Sequence, residues 1–142
     1  MTFTASIEQI TTTQPMPILK KCFFIDDDED DRDFFCTAMQ TINPDMECVF
    51  AKDGTHALEQ LTTTSLVPDY IFIDMNMPLM DGKQCLAAIK KIEHLKNVPV
   101  YIYSTSGSPR LIEEILAMGA IEFLIKPTSM NALEHLLKEI VT

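Results

Sequence analysis

Four places in the sequence combine residue types that could act together on a charged group. Seven acids fill the eight positions from Asp26 to Asp33, directly after the run Lys20 to Ile25. Asp74 follows a second apolar run, Tyr70 to Ile73; Ser104 and Thr105 follow Val98 to Tyr103, and Lys126 follows Ile121 to Ile125. Two carboxylates about 4 Å apart repel by roughly 4 kcal/mol at an effective dielectric near 20. Carboxylates brought together therefore call for a cation, and Mg²⁺ accepts one or two of them with a backbone carbonyl, waters and a phosphate oxygen. A lysine opposite the metal would leave a space suited to a dianionic phosphoryl group, with the Ser104 hydroxyl as a donor to it. An aspartate can be the nucleophile in such a transfer, and Asp74 is the candidate. Asp69, at the start of the same run, would lie about 15–17 Å away at roughly 3.3 Å per residue.

These residues meet only if the runs that precede them are neighbouring parallel strands. The runs Lys20–Ile25, Met46–Ala51, Tyr70–Ile73, Val98–Tyr103 and Ile121–Ile125 are short, rich in Ile, Val, Phe and Tyr, and mostly apolar on both faces, as strands buried on both sides require. Between them run stretches of helical period: Phe34, Phe35, Ala38, Met39 and Ile42; Ala57, Leu58 and Leu61 after Asp53-Gly54; Cys85, Leu86, Ile89 and Ile92 after Asp81-Gly82; Leu111, Ile112, Ile115 and Leu116 up to Gly119; and Met130, Leu133, Leu137 and Ile140. Each forms one apolar stripe. Gly119 suits a left-handed C-terminal cap, and a Ser or Thr after Lys126-Pro127 suits an N-cap. Five successive βα units with right-handed crossovers predict a three-layer αβα sandwich around a five-stranded parallel sheet of order 2-1-3-4-5. In such a sheet ligands bind outside the carboxyl ends of the strands, where the strand order reverses.

Composition narrows the partners. With 142 residues, one core is expected. The formal charge of −10 argues against nucleic acid and anionic membrane surfaces as partners. No apolar stretch reaches the roughly 18 residues of a membrane span, and residues 1–19 contain no Lys or Arg for a signal peptide. Cys22, Cys36, Cys48 and Cys85 form no C-x-x-C pair, so reduced thiols in a cytoplasmic protein are expected. Residues 1–19, Thr-rich and ending near a Pro-x-Pro, read as a flexible arm. Asp30, Asp31 and Asp33 read as solvated acids at a helix start, His56, His94 and His135 as surface or packing residues, and Met75, Met77 and Met80 as local packing.

The stretches KKCFFIDDDEDDRDFF, DYIFIDMNMPLMDG, VPVYIYSTSGS and GAIEFLIKPTS resemble, in order and placement, the receiver domain of two-component response regulators, and the layout is similar to single-domain regulators of the chemotaxis type. The resemblance covers residues 20–142. It implies Asp74 as phosphoacceptor, Asp27 as a direct Mg²⁺ ligand, Asp26 acting through water, and the Asn76 carbonyl completing the metal ligands. It also implies Ser104 as the hydroxyl that follows the phosphoryl group, Lys126 as its ion-pair partner, Phe123 as the switch aromatic, and a Lys126–Pro127 peptide that is often cis in the family. Thr105 stands where receivers usually have Ala or Gly, and is expected to narrow access to Asp74. Phe123 replaces the Tyr common in chemotaxis-type proteins. Asn76 and Ser106 occupy positions that tune phosphoryl lifetime.

The function so implied is not that of a conventional enzyme. It is a stand-alone phosphorelay switch that takes its phosphoryl group from a histidine kinase or histidine phosphotransfer protein. A downstream protein would read the face made by helix four, strand five and helix five, about residues 108–141, with the receiver a monomer or weak homodimer. A phosphatase of the haloacid dehalogenase kind would want a second Asp where Asn76 stands. A degenerate receiver would not keep Asp27, Asp74, Ser104 and Lys126 together.

Overall fold

A computed structural model describes residues 19–141; the expected arm, apart from Leu19, lies outside the described residues. Strands β1 (Lys21–Ile25), β2 (Glu47–Ala51), β3 (Tyr70–Asp74), β4 (Val100–Ser104) and β5 (Glu122–Ile125) alternate with helices α1 (Glu29–Ile42), α2 (Gly54–Thr63), α3 (Gly82–Ile89), α4 (Pro109–Ala117) and α5 (Met130–Ile140). All strand pairs are parallel, in the order β2-β1-β3-β4-β5, as the βα repeat predicts.

The two-residue period of the strands sorts the core into two layers. Phe23, Ile25, Ile71, Ile73, Val100 and Ile102 pack with Ala57, Leu61, Cys85, Leu86, Ile89 and Ile115, from α2, α3 and α4. Cys22, Phe24, Phe72, Tyr101, Tyr103 and Leu124 face the other way, against Phe35, Ala38, Met39, Leu133 and Leu137 of α1 and α5. That second layer is aromatic: Phe24 stacks on Phe35 with centroids 4.1 Å apart, and Phe72 on Tyr101 at 5.0 Å. Pairs of this kind contribute about 0.5–1.5 kcal/mol beyond their buried area. Phe35, stacked on Phe24 and edge-on to Phe72, packs α1 onto β1 and β3.

Short polar side chains start the helices. Asp28 accepts from the amides of Asp30 and Asp31, Asp53 from His56, Ser108 from Leu111 ahead of Pro109, and Ser129 from Ala132. Asp81 and Gln84 form a reciprocal capping box. Gly119 takes φ +107° after α4, the left-handed conformation expected of it.

Strands β1, β2 and β5 begin one residue later than the sequence runs, and three further details differ. β4 begins at Val100, not Val98, because the Val98 amide bonds to Leu95 O in the turn after a short 3-10 helix (Glu93–Leu95) and Pro99 has no N–H to offer the ladder. Ile92 falls outside α3: the amides of Lys91 and Ile92 bond three residues back, to Ala88 O and Ile89 O, and tighten the chain into that turn. β5 is an edge strand, so Glu122 and Ile125 are exposed rather than buried on both faces. The Lys126–Pro127 peptide is trans.

Candidate functional site

The parallel ladder delivers the polar residues to one edge. Beyond β1 the Asp26 amide still bonds to Ala51 O, at 3.1 Å, so Asp26 leaves the sheet in strand geometry with its side chain buried. Asp74 is the last residue of β3 and is also buried. Lys126 follows β5, and its backbone N–H bonds to Ser104 O at 2.7 Å, which ties the ends of β4 and β5 together. Its side chain then turns back across the sheet, with the ammonium 5.3 Å from the centre of the Tyr103 ring.

That ammonium is shared by three carboxylates: Asp31 at 2.8 Å, Asp74 at 2.9 Å and Asp26 at 3.3 Å. Asp26 also accepts from the Asp28 amide at 3.0 Å, and the Arg32 guanidinium donates to the Asp26 carbonyl at 2.7 Å. Oxygens of Asp26, Asp27 and Asp74 lie within 4.8 Å of one another. Together with Asp28, Asp31, Asn76, Thr105 and Lys126 they line an open cavity of about 300 Å³.

Charge in this cavity is out of balance. Burial, reinforced by the neighbouring Asp74, pushes the Asp26 carboxyl up to about 6, against the opposing effects of the Asp28 amide and Lys126. Burial likewise raises Asp74, with Lys126 and the Asn76 amide pulling the other way. Burial works against the charge of Lys126, but Asp31 and Asp74 outweigh it and hold its pKa above the ordinary value. One ammonium does not neutralise the carboxylates around it. A cluster of hard oxygen donors with excess negative charge, and strain that binding would relieve, fits a divalent metal ion.

The structure brings Asp26, Asp27, Asp74, Asn76 and Lys126 to one cavity, as the sequence reading expects. Ser104 stands at the end of β4, fully buried, and its hydroxyl donates to Ser106 O at 2.8 Å; Thr105, not Ser104, lines the cavity. Phe123 is partly buried, and its ring lies so close to Gly107 that a Cβ there would come within 2.6 Å of it. Met75 and Met77 are buried in local packing.

Asp31 is the correction. It is not a purely solvated helix-start acid, because α1 begins directly above the end of β1 and its first turn carries Asp31 to Lys126. The reach of the lysine across the cavity, 95 residues away in the chain, left no local signal.

Residues 22–138 match the model of the response regulator receiver domain family. The chain belongs to that family. Among relatives of this receiver, a protein-glutamate methylesterase/protein-glutamine glutaminase of Methanosarcina acetivorans is 36% identical over 119 residues, which are 79% of this chain and 32% of that protein. The chain spans between 25% and 36% of the length of such relatives. Among solved structures, the phosphorylated cyanobacterial phytochrome response regulator RcpA superposes with a TM-score of 0.78 at 28% identity, covering 87% of this chain and 91% of that one. The Mn²⁺-bound response regulator Rcp1 does so with a TM-score of 0.75 at 25% identity, covering 85% and 91%.

The chain is thus a CheY-like receiver domain of the two-component phosphorelay class. The packing of α1 on α5 and of α4 on β5 is consistent with a receiver's signalling surface. No helix among the described residues is long and apolar enough to cross a membrane.

Proposed function

We propose that Asp74 accepts a phosphoryl group from the phosphohistidine of a histidine kinase or histidine phosphotransfer protein, in a Mg²⁺-dependent reaction. The observation that carries this reading is the position of the Asp74 carboxylate, between the Lys126 ammonium at 2.9 Å and the oxygens of Asp26 and Asp27. An ionised carboxylate needs no base. Its oxygen forms a bond to phosphorus while the bond from phosphorus to the donor's imidazole nitrogen breaks, and that nitrogen keeps the electron pair. Lys126 stabilises charge spreading onto the phosphoryl oxygens, and its fixed position limits reorganisation during transfer.

Asp27 and Asp74, the Asn76 carbonyl and, through water, Asp26 would hold Mg²⁺. When bound, the ion supplies positive charge to the phosphoryl oxygens. Hard oxygen donors and a site too rich in negative charge support that choice. The Mn²⁺ in the Rcp1 structure and the phosphoryl group in the RcpA structure support it by likeness.

Ser104 would exchange its bond to Ser106 O for one to the phosphoryl group, and Phe123 would follow by moving off Gly107. The altered surface would be α4, β5 and α5, within residues 108–141, read by a downstream protein. Thr105, at the cavity wall, would slow small phosphodonors and hydrolysis. On this reading the receiver domain spans residues 20–142, works in the cytoplasm with free thiols, and is monomeric or weakly dimeric.

Incubation with acetyl phosphate and Mg²⁺ should add the mass of one phosphoryl group to the protein and none to Asp74→Asn. Equal labelling of both would place the acceptor elsewhere.

A further inference from the structure

Among the described residues Lys126 is the one ion-pair partner of Asp26, Asp74 and Asp31: its ammonium donates to Asp26 and Asp31 and lies 2.9 Å from Asp74. A phosphoryl dianion on Asp74 must also be met by this ammonium, and because phosphorylation turns the Asp74 carboxylate into an acyl phosphate, its competitors are the two carboxylates that remain, Asp26 and Asp31. The two are not equally free to yield. Asp26 is buried, and released it would be an uncompensated charge out of reach of bulk water. The Asp31 side chain is 42% exposed, although its contact, at 2.8 Å, is the shortest of the three. Once released it can be hydrated at little cost. Its oxygens are also absent from the Asp26, Asp27 and Asp74 cluster that suits a metal. Asp31 therefore grips the lysine without belonging to the metal site.

We propose that Asp31 is a positioning residue: it holds Lys126 in the unphosphorylated receiver and competes with the incoming phosphoryl group for that ammonium. The proposal rests on the reading of Asp74 as phosphoacceptor and deepens it, since it makes the occupancy of the switch depend on a surface acid at the start of α1. The N-cap at Asp28, which accepts from the Asp30 and Asp31 amides, sets the first turn of α1 and with it the direction in which Asp31 points. Arg32, one residue on, anchors the same turn to the Asp26 carbonyl. The grip is thus built into the helix start rather than left to a loop.

The test is a calorimetric titration with beryllofluoride, a tetrahedral stand-in for the phosphoryl group, at saturating Mg²⁺. Asp31→Asn should bind it roughly two- to fivefold more tightly than the wild type, the range for loss of one partly exposed ion pair. Asp31→Glu, which keeps the carboxylate, should return toward the wild-type value. Asp30→Asn is the charge-matched control, because Asp30 lies next to Asp31 but outside the ion pairs of Lys126. It should shift the affinity less than Asp31→Asn.

A merely structural role for Asp31 would weaken Mg²⁺ and beryllofluoride together, whereas competition for the lysine tightens beryllofluoride alone. Unchanged or weaker beryllofluoride binding in Asp31→Asn, or an equal gain in Asp30→Asn, would overturn the proposal while leaving Asp74 as acceptor intact. Failure of the wild type itself to bind beryllofluoride would bring down both readings.

Discussion

The two ends of the sheet offer concavities of similar kind and opposite chemical character. At the amino end, Leu19, Lys21, Thr64, Ser65, Leu66, Val67 and Asp69 surround a space of about 470 Å³, larger than the roughly 300 Å³ at the carboxyl end. Its acid, Asp69, is already committed: a carboxylate oxygen accepts from the Lys21 amide at 2.7 Å, and the Asp69 amide returns a bond to Lys21 O at 2.8 Å. At the carboxyl end the acids exceed their partners, and Asp26 and Asp74 are held above their ordinary pKa by burial. Volume does not mark the site; charge left unbalanced by the fold does. One end of the sheet is finished by its own hydrogen bonds, whereas the other keeps a cluster of carboxylates that could hold a divalent metal ion.

The hardest way to break that contrast is to remove one acid from each end. Asp74→Asn should lose all phosphoryl acceptance from acetyl phosphate, read by mass, while Asp69→Ala keeps it; equal loss in both would mean that the ends do not differ in chemistry.

The next effect is on stability in metal-free buffer. The folded carboxyl of Asp26 sits at about 6, above its value of 3.8 in the unfolded chain. Its stabilising contribution is therefore full below the unfolded value and disappears as pH rises through about 6. A difference of that size between the folded and unfolded chain corresponds to about 3 kcal/mol. Urea denaturation with chelator should accordingly show Asp26→Asn more stable than the wild type by an amount approaching that figure near neutral pH and shrinking toward about pH 4. A variant that is less stable at neutral pH would refute the picture of an unbalanced edge.

The β3–α3 loop provides a smaller measure of the same cost. Leu79 is fully exposed and sits at φ +68°, where a leucine is strained by about 1–2 kcal/mol and asparagine is tolerated. Leu79→Asn should stabilise the fold by about 1 kcal/mol, seen as a higher denaturation midpoint with an unchanged slope. At the amino end, Asp69→Ala removes a hydrogen bond worth about 1 kcal/mol or less at an exposed position. It should leave Mg²⁺ affinity unchanged, and a loss of that affinity would show the two ends to be coupled.

Much of this contrast was legible before the fold was known, because a parallel sheet has one reactive edge. Asp74 and Lys126 could be assigned to it since each stands at the end of an apolar run, and Asp69 could be kept out since it stands at the beginning of one. The start of β4 was harder to read. Val98 is apolar and looks like strand, but its amide is taken by the Leu95 carbonyl, a competition that hydropathy does not register. Asp31 was misread for a related reason: in a run of seven acids nothing local separates the one that meets a lysine from those that meet water.

What the order of residues determined by itself was periodicity and polarity: which segments are strands or helices, that the strands run parallel, and which side chains leave the sheet at its carboxyl edge. What tertiary structure alone decided was the partner of each charge. The aromatic layer of Phe24, Phe35 and Phe72 sets α1 above β1 and β3, and Lys126 is aimed inward from a neighbouring strand end. Those placements assign Asp31 to the lysine and turn the Ser104 hydroxyl toward Ser106. Strand and helix formation follow from patterns within a few residues of one another, but an ion pair is a distance between side chains. Across 95 residues of chain, only the packed core sets that distance.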